Sequence, residues 1–179
     1  MKIIKTFIAS TTATLAYLVV LTLPVQAQDQ KLTDPEIASI AVTANQIDIN
    51  YAGIAKQKSK DTEVLKFAET MATDHRAVID QAVALVTKLK VTPKDNAVSQ
   101  KLLADSKKTE KTLKSKSGKE FNKAYIDNEV AYHKAVISTV ESLLIPSTTN
   151  AELKELLQKV VPALKAHLAH AEMIQKTYK

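Results

Sequence analysis

Residues 62–90 read TEVLKFAETMATDHRAVIDQAVALVTKLK. Val64, Ala68, Met71, His75, Val78, Ala82, Leu85 and Leu89 recur at alternating steps of four and three, which places them on one stripe of a helix. Leu65, Ala72, Ile79 and Val86 widen that stripe. A single stripe must be covered by others, so this one segment already calls for a helical assembly. It also carries an anomaly: His75 holds a position that otherwise takes Val, Ala, Met or Leu.

The same pattern recurs on either side. Upstream, Ile37, Ala41, Ala44, Asp48, Tyr51 and Ala55 form a 4-3 stripe flanked by Ile40, Ile47 and Ile54. Asp34 suits the cap, Pro35 the first helical position and Glu36 the first turn, so helix one is predicted from there to about Lys58. Ser59-Lys60-Asp61 gives a short turn, and helix two runs from about Thr62 to Lys90, ended by Thr92-Pro93. Downstream, Ile126, Val130, His133, Ile137, Val140 and Leu144 mark helix three, predicted over about 119–144, with Phe121, Tyr125, Glu129 and Val136 alongside. Leu153, Leu157, Val160, Leu164, His167, Ala171, Ile174 and Tyr178 mark helix four, predicted over about 151–176. Pro162 falls inside it, removing one backbone bond and predicting a kink.

Four long helices with one apolar stripe each bury those stripes together as a bundle, so the fold class is all-α. Between helices two and three lies an insert containing a predicted helix from about Asn96 to Lys114, with Val98, Leu102, Leu103 and Leu113 as its apolar contacts. Its length of about 28 Å can travel back along the bundle. Helices two and three are therefore expected to run parallel, joined by an extra crossover helix packed outside.

Composition agrees. The chain of 179 residues is 45% hydrophobic and 25% charged, with 2 Gly and no Cys. That apolar content excludes a disordered chain, and so few glycines argue against a β-rich fold and against Gly-rich phosphate loops. Without cysteine there is no disulfide, thiolate metal site or Cys nucleophile.

Residues 1–27 read as a secretory signal peptide. Lys2 and Lys5 give the positive start, residues 6–23 are uncharged, and Val25-Gln26-Ala27 predicts cleavage after Ala27. The expected location is the periplasm or the medium. The alternative is an uncleaved N-terminal anchor, since the apolar stretch is close to the shortest that spans a bilayer. The mature domain would be residues 28–179, with 23 Lys+Arg against 19 Asp+Glu after loss of two lysines, a net charge of +4. The surplus lies in Lys101–Lys119, where seven lysines face Asp105 and Glu110. That segment suits weak contact with anionic envelope surfaces, or is a solvated helix face. Nucleic acid is not expected as a partner: Arg76 is the single arginine, and no aromatic residues interleave the lysines.

One polar residue interrupts each stripe: Asp48, His75, His133 and His167. Glu129 lies one turn before His133, and His170 follows His167. At 1.5 Å per residue the four stripe positions fall within about 7 Å of one another in height. A carboxylate buried alone costs several kcal/mol, so Asp48 and Glu129 need partners. Two readings follow. In one, the layer only fixes helix register in an envelope interaction or structural module. In the other, Asp48, His75, Glu129, His133 and His167 hold one transition metal ion, with Zn, Fe, Mn or Cu all compatible with imidazole and carboxylate. Asp74, about 100° round the helix from His75, and His170 are expected at the edge of such a site.

Phe67-Ala68, Met71 and Asp74-His75 on helix two, Phe121, Tyr125 and His133 on helix three, and Pro162-Ala163-Leu164 with His167-Leu168 on helix four resemble the domain of unknown function 4142 family. The resemblance spans about residues 32–176. It implies a ferritin-like four-helix bundle in a bacterial envelope, but no known reaction, and it departs at Asp48, where the family usually has Glu. Ferritin-like di-iron sites use Glu-x-x-His on two helices. Here Ala72, Val130, Leu164 and His167 stand three residues before the four histidines. A di-iron enzyme is therefore disfavoured against a single His-held metal, leaving an oxidative-stress metalloenzyme as a minor reading. No serine has a Gly-x-Ser-x-Gly setting for hydrolysis.

Overall fold

The computed structural model describes residues 31–178, and they are helical apart from short connections. The expected signal peptide falls outside these residues. Helix α1 spans Asp34–Lys58, α2 Thr62–Lys88, α3 Ala97–Lys114 and α4 Gly118–Thr139. A π-helical turn, Val140–Leu144, and the short α5, Ile145–Ser147, extend α4. Helix α6 spans Ala151–Gln175 and closes with a 3-10 turn, Lys176–Tyr178.

The helix ends follow local chemistry. Thr33 caps α1 rather than Asp34: its N–H and hydroxyl both donate to Glu36, at 3.0 and 2.7 Å. Asp34 instead accepts from the N–H groups of Thr149 and Asn150, at 2.9 and 3.0 Å, and so ties the start of α6 to the start of α1. Asp61 caps α2 and Asn96 caps α3 through the first free N–H groups. Helix α2 stops at Lys88, two residues short of the expected end, and Lys90 then takes a left-handed φ of 54°. The π turn was not foreseen. Pro146 offers no N–H to the carbonyl one turn back, and Ile145 N–H bonds the Val140 carbonyl in a widened turn. Helix α6 runs on through Pro162.

End-to-end contacts fix the topology. Lys94 N–H donates to Pro35 O at 3.0 Å, and Lys58 Nζ donates to Lys114 O at 2.6 Å, so α3 runs beside α1 in the same direction. Ser59 Oγ donates to Asn122 Oδ1 at 2.8 Å, which starts α4 at the α1–α2 turn. Tyr178 Oη donates to Asp61 Oδ2 at 2.7 Å, which ends α6 there. Helices α2 and α4 are thus parallel and α1 and α6 oppose them, as the crossover insert required. On α3, Leu113 is buried and Leu102 packs on the core, whereas Leu103, expected as a core contact, is 42% exposed.

Two apolar clusters fill the bundle. One centres on Phe67, Met71, Phe121 and Tyr125; the other on Ile37, Ile40, Leu144, Leu153 and Leu157. His75, His133 and His167 fall between the two sets, and Asp48 joins them from α1. Among the described residues no helix is long and apolar enough to cross a membrane.

Candidate metal centre

The 4-3 stripes turn their polar members inward. Asp48 on α1, His75 on α2, Glu129 and His133 on α4, and His167 on α6 are all buried, with 0%, 4%, 0%, 1% and 7% exposure. The three imidazoles form a nearly equilateral triangle, with ring centroids 5.3, 5.5 and 5.7 Å apart. One nitrogen from each lies within 4.8 Å of the others. Asp48, Glu129 and His133 form an adjoining group with the same spacing.

Outer contacts decide which nitrogen faces inward. Asn45 Nδ2 donates to Ala41 O at 2.8 Å, which leaves Asn45 Oδ1 as the acceptor 2.7 Å from His75 Nδ1. His75 Nδ1 therefore carries the proton. His133 Nδ1 donates to the Glu129 carbonyl at 3.0 Å, and His167 Nε2 donates to Asp74 Oδ2 at 2.9 Å. The remaining nitrogens, His75 Nε2, His133 Nε2 and His167 Nδ1, are buried and have no hydrogen-bond partner. In the neutral ring, the nitrogen opposite the donating one is an unprotonated lone pair. Both oxygens of Asp48 and both of Glu129 are likewise unpartnered.

The inward-facing atoms of the layer therefore converge with no hydrogen bond among them. Asp48 Oδ2 lies 3.5 Å from His75 Nε2 and 3.7 Å from His133 Nε2, too far for hydrogen bonds. Bonds of about 2.0–2.2 Å around a tetrahedral ion set ligand atoms about 3.3–3.6 Å apart, close to these separations. Without a cation, burial favours the neutral forms of Asp48, Glu129, His75 and His133. It pushes Asp48 up to about 8 and Glu129 well above the usual carboxylate range, where the charge of Asp48 adds to the effect. Burial and the neighbouring imidazoles push His75 down to about 3; burial, then His167, pushes His133 down to about 4. A bound cation would favour ionised Asp48 while the imidazoles stay neutral. The donor set thus fits a transition metal, with His75, His133, His167 and Asp48 able to hold it.

Of the residues expected at the edge, Asp74 orients His167 from a half-exposed position. His170 turns away from the triangle and packs its ring edge-on against Phe67 at 5.2 Å. Glu129 reaches the layer from behind His133, with Oε2 3.5 Å from His133 Nδ1. Asn45 was not foreseen. Its only sequence signal is its place three residues before Asp48, on the same face of helix one. The layer also forms the polar end of a cavity of about 540 Å³ lined by all four helices of the bundle.

Helical topology and this buried triangle with its carboxylates define a four-helix bundle with a candidate metal centre between two apolar clusters. The chain belongs to the family described as a domain of unknown function, DUF4142, whose model matches residues 21–174. A solved structure titled "CopM in the Cu(II)-bound form" has a similar fold, with a TM-score of 0.64 at 16% identity. The match covers 83% of this chain and 99% of that one. No curated protein matches the chain in sequence.

Proposed function

We propose that this chain is an exported metal-binding protein that holds one transition metal ion in its core through His75, His133, His167 and Asp48, with Glu129 beside them. The observation that carries the reading is the unpaired inner face of the layer. Three imidazoles are held by Asn45, the Glu129 carbonyl and Asp74 so that three ring nitrogens and the Asp48 carboxyl converge with no hydrogen bond among them. A layer that served only to fix helix register would pair its imidazoles with its buried carboxyls by hydrogen bonds; here Asp48 and Glu129 lie 3.5–3.7 Å from His75 and His133, and only His167 is paired, with the half-exposed Asp74.

Imidazole and carboxylate ligands accept copper, zinc, iron or manganese, and divalent copper stands highest in intrinsic affinity for such sites. The similar fold of a Cu(II)-bound protein supports copper as the first ion to test. Bound there, the ion would lie between the two apolar clusters, at one end of the cavity. The role that follows is metal handling or stress protection in the envelope, and export rests on the Lys2, Lys5 and Val25-Gln26-Ala27 features of the leader.

Titration of purified, metal-stripped protein with Cu(II) and Zn(II) tests the reading. One equivalent should bind and raise the melting temperature, and a chelator should reverse the shift. Melting curves that coincide with and without metal would reject the centre and favour the register-fixing layer. N-terminal sequencing should find Gln28 first.

A further inference from the structure

Helix α3 lies outside the four helices that enclose the histidine layer. It rests on them along one line, Ser99, Ser106 and Leu113, all buried, with Leu102 packed on the core beside it. The face away from that line is open and basic. At about 100° per residue, Leu103, Lys107 and Lys111 share it, one turn apart, and all three are exposed. The two acids of the helix stand at the margins of this face. Asp105 pairs with Lys101 and Lys108 at 2.6 and 2.9 Å, and Glu110 pairs with Lys114 at 2.8 Å. Among the described residues, Lys107 and Lys111 form no ion pair, nor do Lys116 and Lys119 beyond the end of the helix.

This pattern runs against local stability. Like charges one turn apart weaken a helix, and Lys107 and Lys111 are such a pair. The helix dipole favours Lys111 and Lys114 in the last turn of α3 but opposes Lys119 in the first turn of α4. Elsewhere lysines tie helices together: Lys56 reaches Glu69, Lys134 reaches Glu172 and Lys165 reaches Glu141. On α3 the charge is left uncompensated and directed outwards, where it attracts an anionic surface.

We propose that the outer face of α3 docks on an anionic phospholipid bilayer. Three features favour a bilayer over a soluble polyanion. The face is straight, about 17 Å from Leu103 to Lys114, and so matches a plane. Its cations are all lysines, flexible point charges that answer a diffuse field; discrete phosphate recognition favours the forked guanidinium, and the single arginine, Arg76, is on α2. Leu103, 42% exposed, stands one turn before Lys107 and enters the headgroup boundary while the lysines hold the surface. None of this depends on a bound metal.

Cosedimentation tests it, with the chain beginning at Gln28 and vesicles of phosphatidylglycerol mixed with phosphatidylcholine, or of phosphatidylcholine alone. The mixed vesicles should bind the chain, the neutral ones should not, and about 0.5 M salt should abolish binding. Lys107→Gln with Lys111→Gln should weaken binding about 25-fold, or about fivefold per lysine. Lys154→Gln with Lys159→Gln, the same loss of charge on α6, should weaken it less than about threefold. Leu103→Gln should weaken vesicle binding at least about twofold and leave any binding to soluble polyphosphate unchanged. Binding to neither vesicle, or equally to both, overturns the proposal. Equal losses in the two double variants overturn the role of α3. Polyphosphate bound more tightly than the mixed vesicles, with Leu103→Gln affecting neither, overturns the choice of a bilayer.

Discussion

Replacing Asp48 by Asn keeps the side chain's shape and removes its charge, and it should act in opposite directions on metal-free and metal-loaded protein. Asp48 is fully buried with neither oxygen hydrogen-bonded, and burial raises its carboxyl from 3.8 to about 8. The folded state thus holds a proton that the unfolded state releases. The stability this contributes is complete below pH 3.8 and is lost as the pH rises towards 8, at about 1.4 kcal/mol per unit. His75 and His133 have the opposite sign. Their values fall from 6.5 to about 3 and about 4, so their contribution is present above pH 6.5 and lost as the pH falls. Their contribution levels off above about pH 7.5, and because both proteins carry these histidines it drops out of the comparison. Over that window of about 1.5 units Asp48 removes about 2 kcal/mol from the metal-free wild type, and Asn does not. Urea unfolding followed by far-ultraviolet circular dichroism, in chelator, should show Asp48→Asn gaining about 2 kcal/mol on the wild type from pH 6.5 to 8. With metal at about one hundred times its dissociation constant, the wild type should gain about 2.7 kcal/mol and the variant far less. A variant no more stable than wild type at pH 8 in chelator would refute the uncompensated burial of Asp48. An equal metal-dependent gain in both proteins would refute its place among the ligands.

His75→Ala and His133→Ala should each abolish the metal-dependent rise in melting temperature, about 5–11 °C in the wild type for a gain of about 2.7 kcal/mol. His170→Ala should keep it, because that ring packs on Phe67; its loss in the scanning calorimeter would place His170 at the centre after all. Asp74→Ala and Asn45→Ala should weaken metal affinity about 10–100-fold in competition with a chelating dye, since each frees an imidazole to turn. Asp34→Ala should lower stability by about 1–2 kcal/mol in urea by freeing the start of α6, with metal stoichiometry unchanged.

Helix existence, order and direction were legible in the chain because a 4-3 apolar stripe and a capping residue are local signals. Helix α2 starts at the turn read at Ser59-Lys60-Asp61, the insert helix starts within one residue of the expected Asn96, and its length was enough to make α2 and α4 parallel. Where several local choices nearly balance, contacts from elsewhere decided. Asp34 and Thr33 are both good caps, and Asp34 was drawn away by the N–H groups of Thr149 and Asn150, 115 and 116 residues distant. Leu103 reads as apolar like Leu102, but only the docking of α3 decided which of the two faces the core.

The polar layer divides in the same way. Periodicity alone set Asp48, His75, His133 and His167 on inward stripes, because a residue's face follows from its register on its own helix. It could not say which nitrogen of each ring faces the centre. That depends on acceptors that arrive from other elements or other turns: Asn45 from α1 for His75, Asp74 from α2 for His167. Nor could it show the cavity above the triangle, since a void is the difference between what four helices enclose and what their side chains fill. The sequence determined who would meet; the packing of the helices determined that their inward-facing atoms meet with no hydrogen bond among them, at one end of an open apolar space, and that relation gives the layer its chemistry.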